Sequence, residues 1–149
     1  MATQLKDFAT AVVAVVAPET SARAAAQFMR KNHVGALVVV DDGYNRPVGI
    51  LTDRDLVLAL MAEGLDPAVF TAGDIMSVDL VLATPEMDAM DAVHLMRTNR
   101  LRRLVIVDEA GLLVGIVTME DILELLTRQL ADLAAGVLGS RDREFEQRS

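Results

Sequence analysis

The chain states one pattern twice, and that repetition limits what it can fold into more than any other feature. The stretch from Ala17 to Leu56 runs A-P-E-T-S-A-R-A-A-A-Q-F-M-R-K-N-H-V-G-A-L-V-V-V-D, a turn, then P-V-G-I-L-T-D-R-D-L. The stretch from Thr84 to Ile122 runs T-P-E-M-D-A-M-D-A-V-H-L-M-R-T-N-R-L-R-R-L-V-I-V-D, a turn, then L-V-G-I-V-T-M-E-D-I. Pro18, Glu19, Ala22, Met29, Asn32, Leu37 and Asp41 recur 67 positions on as Pro85, Glu86, Ala89, Met96, Asn99, Leu104 and Asp108. After a one-residue contraction in the turn, Gly49, Thr52 and Asp55 recur as Gly115, Thr118 and Asp121. Two copies are too few for a solenoid, whose units need about three neighbours to bury a core. They suit a pair that closes on itself about a pseudo-twofold axis, with a cleft between the copies.

Each copy reads as β-α-β-β-α, an α/β unit. Val12 to Val16 is a strand-like apolar run. Pro18 breaks it, and Ser21 is placed to cap a helix whose apolar face is Ala22, Ala25, Ala26 and Met29. Asp88 caps the matching helix, with Ala89, Ala92, Val93 and Met96 on the same face. The β-branched runs Ala36 to Val40 and Arg103 to Val107 follow, then turns at Asp41-Asp42-Gly43 and Asp108 to Gly111. Val48 to Leu51 and Val114 to Val117 return as hairpin partners. Thr52 and Thr118 open closing helices, the first ending near Gly64 and the second near Leu138. This divides the chain into a first repeat over residues 7–70, a second over 71–138, and a polar tail over 139–149 expected to be flexible.

Composition removes several function classes. A formal charge of −8 and an aromatic content of 3% argue against a nucleic-acid binder, which needs phosphate neutralisation and stacking platforms. No apolar run approaches the ~20 residues of a membrane span, and no signal peptide is evident, so the expected location is the cytoplasm with no membrane partner. The absence of cysteine excludes disulfides, thiolate metal sites and a cysteine nucleophile. No serine lies in a nucleophile elbow, and no H-E-x-x-H occurs. His33 and His94 are not equivalent and read as surface or packing residues. The acidic pairs Asp41/Asp42 and Asp53/Asp55 are candidate Mg²⁺ recruiters, although adjacent acids in turns are usually solvated. The methionines read as adaptable filler.

Two features carry chemistry. The first is T-x-x-D at Thr52/Asp55 and again at Thr118/Asp121. Helix capping is one account, in which Thr accepts from the N–H three residues on and the acid reaches back. Asp is a methylene short for that reach. A short carboxylate is well suited to accept from two vicinal hydroxyls, as on a ribose. The second feature is the basic cluster Arg97, Arg100, Arg102 and Arg103, four of the fourteen basic residues within seven positions. Arg102 and Arg103 replace Gly35 and Ala36 of the first copy, and guanidinium forks match phosphate. The competing account pairs them with Glu120 and Asp121.

G-I-L-T-D-R-D-L and G-I-V-T-M-E-D-I, each behind a P-E-x-x-x-A segment, resemble the tandem CBS-domain (cystathionine β-synthase domain) pair over roughly residues 7 to 128. The run from Leu101 to Asp108 also resembles the strand start of energy-sensing members. The resemblance implies a free-standing regulatory module, not an enzyme. It would sense AMP, ADP, ATP, S-adenosylmethionine or an NAD-type ligand and signal to an unidentified effector protein. It implies ribose binding by Thr118/Asp121 and Thr52/Asp55, with more weight on the copy that bears the arginines, and phosphate binding by Arg102 and Arg103. The base would lie against Thr10, Ala11, Ala36, Leu37, Ser77, Val78 and Leu104. No cofactor is required, and Mg²⁺ would arrive only with the nucleotide. A homodimer is expected through the closing helices, Leu56–Met61 and Ile122–Leu133. The alternatives are a structural, partner-binding subunit with empty pockets and a Mg²⁺-dependent nucleotide hydrolase.

Overall fold

The computed structural model describes residues 3–41, 43 and 45–148. The first repeat comprises β1 (Val15–Val16), α1 (Ala22–Asn32), β2 (Ala36–Asp41), β3 (Arg46–Thr52) and α2 (Asp53–Leu56), which continues as a π-helical turn over Val57–Met61. A short helix, α3 (Ala72–Ile75), follows. The second repeat comprises β4 (Leu82–Ala83), α4 (Ala89–Asn99), β5 (Arg103–Val107), β6 (Leu113–Thr118) and α5 (Met119–Arg148). Each repeat forms a three-stranded sheet, ordered β1-β2-β3 and β4-β5-β6. In both, the first pair is parallel and the second antiparallel, with a bulge at the equivalent steps Val39/Val40 and Ile106/Val107.

Local chemistry explains most boundaries. The Ser21 hydroxyl accepts from the Ala24 N–H at 3.1 Å, and Asp88 accepts from the Met90 N–H at 3.2 Å. These caps start α1 and α4, which bury Ala22, Ala25 and Met29, and Ala89, Ala92 and Met96. Ala26, expected on the buried face, lies exposed at its edge. Both helices end on a residue with left-handed backbone, His33 at φ 54° and Arg100 at φ 55°.

Among the described residues, three apolar clusters hold the molecule together. One lies between the first sheet and α1, around Leu37, Val39 and Leu51. A second lies between the second sheet and α4, around Leu104, Ile106 and Val117. The third, with Val38, Val105, Val107 and Leu113 at its centre, joins the two sheets face to face.

The segments leading into each repeat cross over to the other one. Ser77 and Ile50 exchange backbone hydrogen bonds at 2.8 and 3.0 Å, and Thr10 and Ile116 do so at 3.1 and 3.0 Å. Ala72 joins the first repeat's core with Ile75 and Met76 against it, while Leu5 joins the second's with Phe8 and Ala9. The exchange explains the glycine of each G-h-h-T. A Cβ on Gly49 would come within 2.4 Å of Met76 Sδ, and one on Gly115 within 3.0 Å of the Thr10 carbonyl oxygen.

Two expectations are corrected. The first strand was expected over Val12 to Val16, yet only Val15 and Val16 pair; Thr10 is committed to the other repeat, and Val12 is 90% exposed on the crossing. The second closing helix was expected to end near Leu138, yet α5 runs through Arg148. A single glycine costs a helix only about 1 kcal/mol, and the remaining residues include no proline.

Candidate functional site

The T-x-x-D motifs stand where a hairpin strand becomes a helix. At the first, the Thr52 hydroxyl accepts from the Asp55 N–H at 3.1 Å, while the Asp55 Oδ2 accepts from the Thr52 N–H at 2.9 Å. At the second, the corresponding distances for Thr118 and Asp121 are 3.1 and 3.0 Å. Asp is therefore long enough to reach back, which corrects the argument that it is not. A third box at Thr71/Asp74 has the same geometry, at 3.2 and 2.9 Å. Capping accounts for one oxygen of each carboxylate. In Asp55 the other, Oδ1, accepts from none of the described residues.

What separates the first motif from the third is its surroundings. Thr52 and Asp55 line a cleft of about 180 Å³ together with Ile50, Ser77, Asp79, Leu80, Val81, Leu101, Arg102, Arg103 and Val105. The arginines come from the second repeat and meet the T-x-x-D of the first. The sequence left open which pair they serve, although it weighted ribose binding toward Thr118/Asp121. The cause is the face-to-face packing of β2 and β5 through Val38 and Val105, which turns the start of β5 toward the end of β3. In the first repeat the positions equivalent to Arg102 and Arg103 are Gly35 and Ala36, which carry no charge. The Asp53 carboxylate lies against Gly35, its Oδ2 3.0 Å from where a Cβ would be.

Arg102 forms an ion pair with Glu120, Nη2 to Oε1, and its carbonyl oxygen accepts from the Met119 N–H at 2.8 Å. Glu120 is held below the ordinary carboxylate range, first by a hydrogen bond from its own backbone N–H and then by the charges of Arg102 and Arg103. Among the described residues, Arg103 has no ion-pair partner. The competing account thus holds for Arg102 with Glu120 and not for either arginine with Asp121.

The expected base wall needs correction. Ser77 lines the cleft, but Leu37 and Leu104 are 1% and 0% exposed inside their own repeats' helix-facing cores. The side chains one residue along, Val38 and Val105, face between the sheets, because strand neighbours point to opposite faces. Val78 is 66% exposed and does not line the cleft; Asp79, Leu80 and Val81 do. Thr10 and Ala11 line a different groove, with Lys6, Pro85, Val114 and Gly115. Ala36 pairs with Thr52 across β2 and β3, as Arg103 pairs with Thr118. Asp79 carried no sequence signal, and the face that Val105 shows to the cleft was hidden because its strand is apolar on both sides. Among the described residues no group of three or more His, Asp or Glu side chains is arranged to hold a metal. Asp42, half of one proposed Mg²⁺ pair, lies outside the described residues.

The family model for the CBS domain matches residues 5–62 and again 72–128. The chain belongs to the CBS domain family. It is a tandem CBS pair, the architecture of a regulatory ligand-binding module, and no catalytic family is evident. It is 39% identical to the CBS domain-containing protein YhcV of Bacillus subtilis over 132 residues, 89% of each chain. It is 41% identical over 108 residues to the protein MK0525 of Methanopyrus kandleri, covering 72% of this chain and 55% of that one. Among solved structures it is similar to the CBS domain pair of protein MJ0100 in complex with 5′-methylthioadenosine and S-adenosyl-L-methionine, with a TM-score of 0.78 and 26% identity. That match covers 87% of this chain and 99% of the other. Among the described residues, no helix of the CBS pair is long and apolar enough to cross a membrane.

Proposed function

We propose that this CBS pair senses an adenosine-containing nucleotide in the cleft between its repeats and passes that state to an effector protein. One observation carries the reading: Thr52 and Asp55 share a single cleft with Arg102 and Arg103. A ribose needs an acceptor for its hydroxyls, and the outer oxygen of Asp55 supplies it. A phosphoryl group needs cations, and the two guanidinium groups supply them through charge-assisted hydrogen bonds. The apolar walls Ile50, Leu80 and Val105 suit the faces of a purine. The MJ0100 pair holds two adenosyl compounds without phosphate, which supports the nucleoside half of the reading. The site calls for no resident cofactor, and Mg²⁺ would come only with a di- or triphosphate. The proposed location is the cytoplasm.

The CBS pair is proposed to work as a homodimer. An apolar groove beside the first closing helix is lined by Ala22, Ala26, Leu56, Val57, Leu60 and Met61. On α5, Leu123, Leu126, Leu130, Leu133 and Val137 are all exposed, and their alternating spacing of three and four is that of a helix-pairing seam. Glu at both Leu126 and Leu130 should yield monomer by sedimentation; a wild-type monomer at micromolar concentration would refute the dimer.

Thermal unfolding with adenosine, AMP, ADP, ATP and S-adenosylmethionine tests the ligand class, since a ligand bound only by the folded state raises the melting temperature. Calorimetry with the 2′,3′-dideoxy nucleotide tests the ribose contact. Equal affinity for the dideoxy and parent compounds would overturn it.

A further inference from the structure

The Arg102–Glu120 pair ties the cleft to the first turn of α5. Arg102 lines the cleft, while its guanidinium meets Glu120, which stands between Thr118 and Asp121 at the start of that helix. A backbone bond from the Met119 N–H to the Arg102 carbonyl, 2.8 Å, fastens the same two segments. The first repeat has the equivalent backbone bond, Asp53 N–H to the Gly35 carbonyl at 2.9 Å. It lacks the ion pair, because Gly35 and Arg54 occupy the matching positions. The pair is thus an addition peculiar to one repeat.

Its two side chains are 73% and 57% exposed. Water screens such a pair, and exposed pairs hold with little free energy, so an incoming anion can displace one. We propose that Glu120 is a specificity-determining residue of the cleft. It occupies Arg102 and sets a negative charge beside the arginines, which disfavours phosphorylated ligands relative to their nucleosides. A phosphoryl group that does win Arg102 detaches the side-chain tie to α5, so a nucleotide and its nucleoside leave the first turn of α5 in different states. This rests on reading the cleft as a nucleotide site.

The test titrates adenosine and AMP against the wild-type chain and Glu120→Gln, which keeps the side chain's shape and removes its charge. AMP should bind the variant about two- to fivefold more tightly, the size of an exposed ion pair, with adenosine unchanged. The gain should vanish near 1 M salt, where the screening length falls to about 3 Å. Amide exchange in the wild type should be faster over the first turn of α5 with AMP than with adenosine, and equal in Glu120→Gln. An unchanged ratio of AMP to adenosine affinity overturns the proposal. So does a fall in AMP affinity, which would show Glu120 positioning Arg102 for phosphate instead of competing for it. A wild-type chain that binds neither compound refutes the nucleotide reading itself, and this inference with it.

Discussion

The two T-x-x-D half-sites share a backbone geometry and differ in charge. At one, Thr52 and Asp55 meet Arg102 and Arg103. At the other, Thr118 and Asp121 hold the same capping geometry to within about a tenth of an ångström, and Gly35 and Ala36 stand at the positions equivalent to the arginines. Duplication alone makes two equal half-sites. Substitution at two positions on one strand start makes them unequal, and it does so at the half-site of the opposite repeat. On the proposed reading, affinity for the sugar and affinity for the phosphate fall to different copies of the pattern.

The sharpest way to break this comparison is Arg102→Ala with Arg103→Ala. Each charge-assisted hydrogen bond lost costs about 1.5–3 kcal/mol, so calorimetry should show AMP affinity falling by roughly a hundredfold or more, with adenosine little changed. An unchanged AMP-to-adenosine ratio would mean the two half-sites do not differ in phosphate binding. Asp55→Ala comes next. It should weaken AMP and adenosine alike by about 1.5–3 kcal/mol, and Asp121→Ala should affect AMP less. The reverse order would return the arginines to their own repeat's pair. Ala36→Arg places a fork at the twofold mate of Arg103. It should raise AMP stoichiometry from one to two per chain, the new site gaining about tenfold from one charged contact. A stoichiometry that stays at one would show that position alone does not make the half-sites unequal. The smallest effect belongs to Asp74→Ala, which removes an equivalent capping carboxylate outside the cleft. Thermal unfolding should show a loss of about 0.5–2 kcal/mol, as for a cap, and titration should show no change in ligand affinity. If Asp74→Ala weakened AMP as much as Asp55→Ala, capping would explain both.

Much of the fold was legible because the chain repeats itself. The second copy's strand Arg103–Val107 was placed to the residue, since its β-branched run is bounded by turn chemistry on both sides. The helix caps Ser21 and Asp88 were legible for the same local reason. Which face of β2 and β5 looks into the cleft was not. Leu37-Val38-Val39-Val40 is apolar on both faces, so no alternation signals parity, and Leu37 and Leu104 were assigned to the wrong side. The partner of the arginines was also hidden, because it depends on how two sheets meet and not on any spacing within one repeat. The end of α5 was misplaced at Leu138, just before Gly139, a residue whose cost the helix absorbs.

The crossing of the lead-in segments has a consequence for how such a chain can be divided. The hairpin edge at Ile50 is completed by Ser77, and that at Ile116 by Thr10, so neither repeat carries its own finishing piece. One copy produced alone has an open main-chain edge and an unused arm that fits it. Trading arms with a second such molecule would meet that need. The covalent chain supplies both arms at once, and the two halves, severed between Gly64 and Leu65 and mixed, would have a template on which to reassemble.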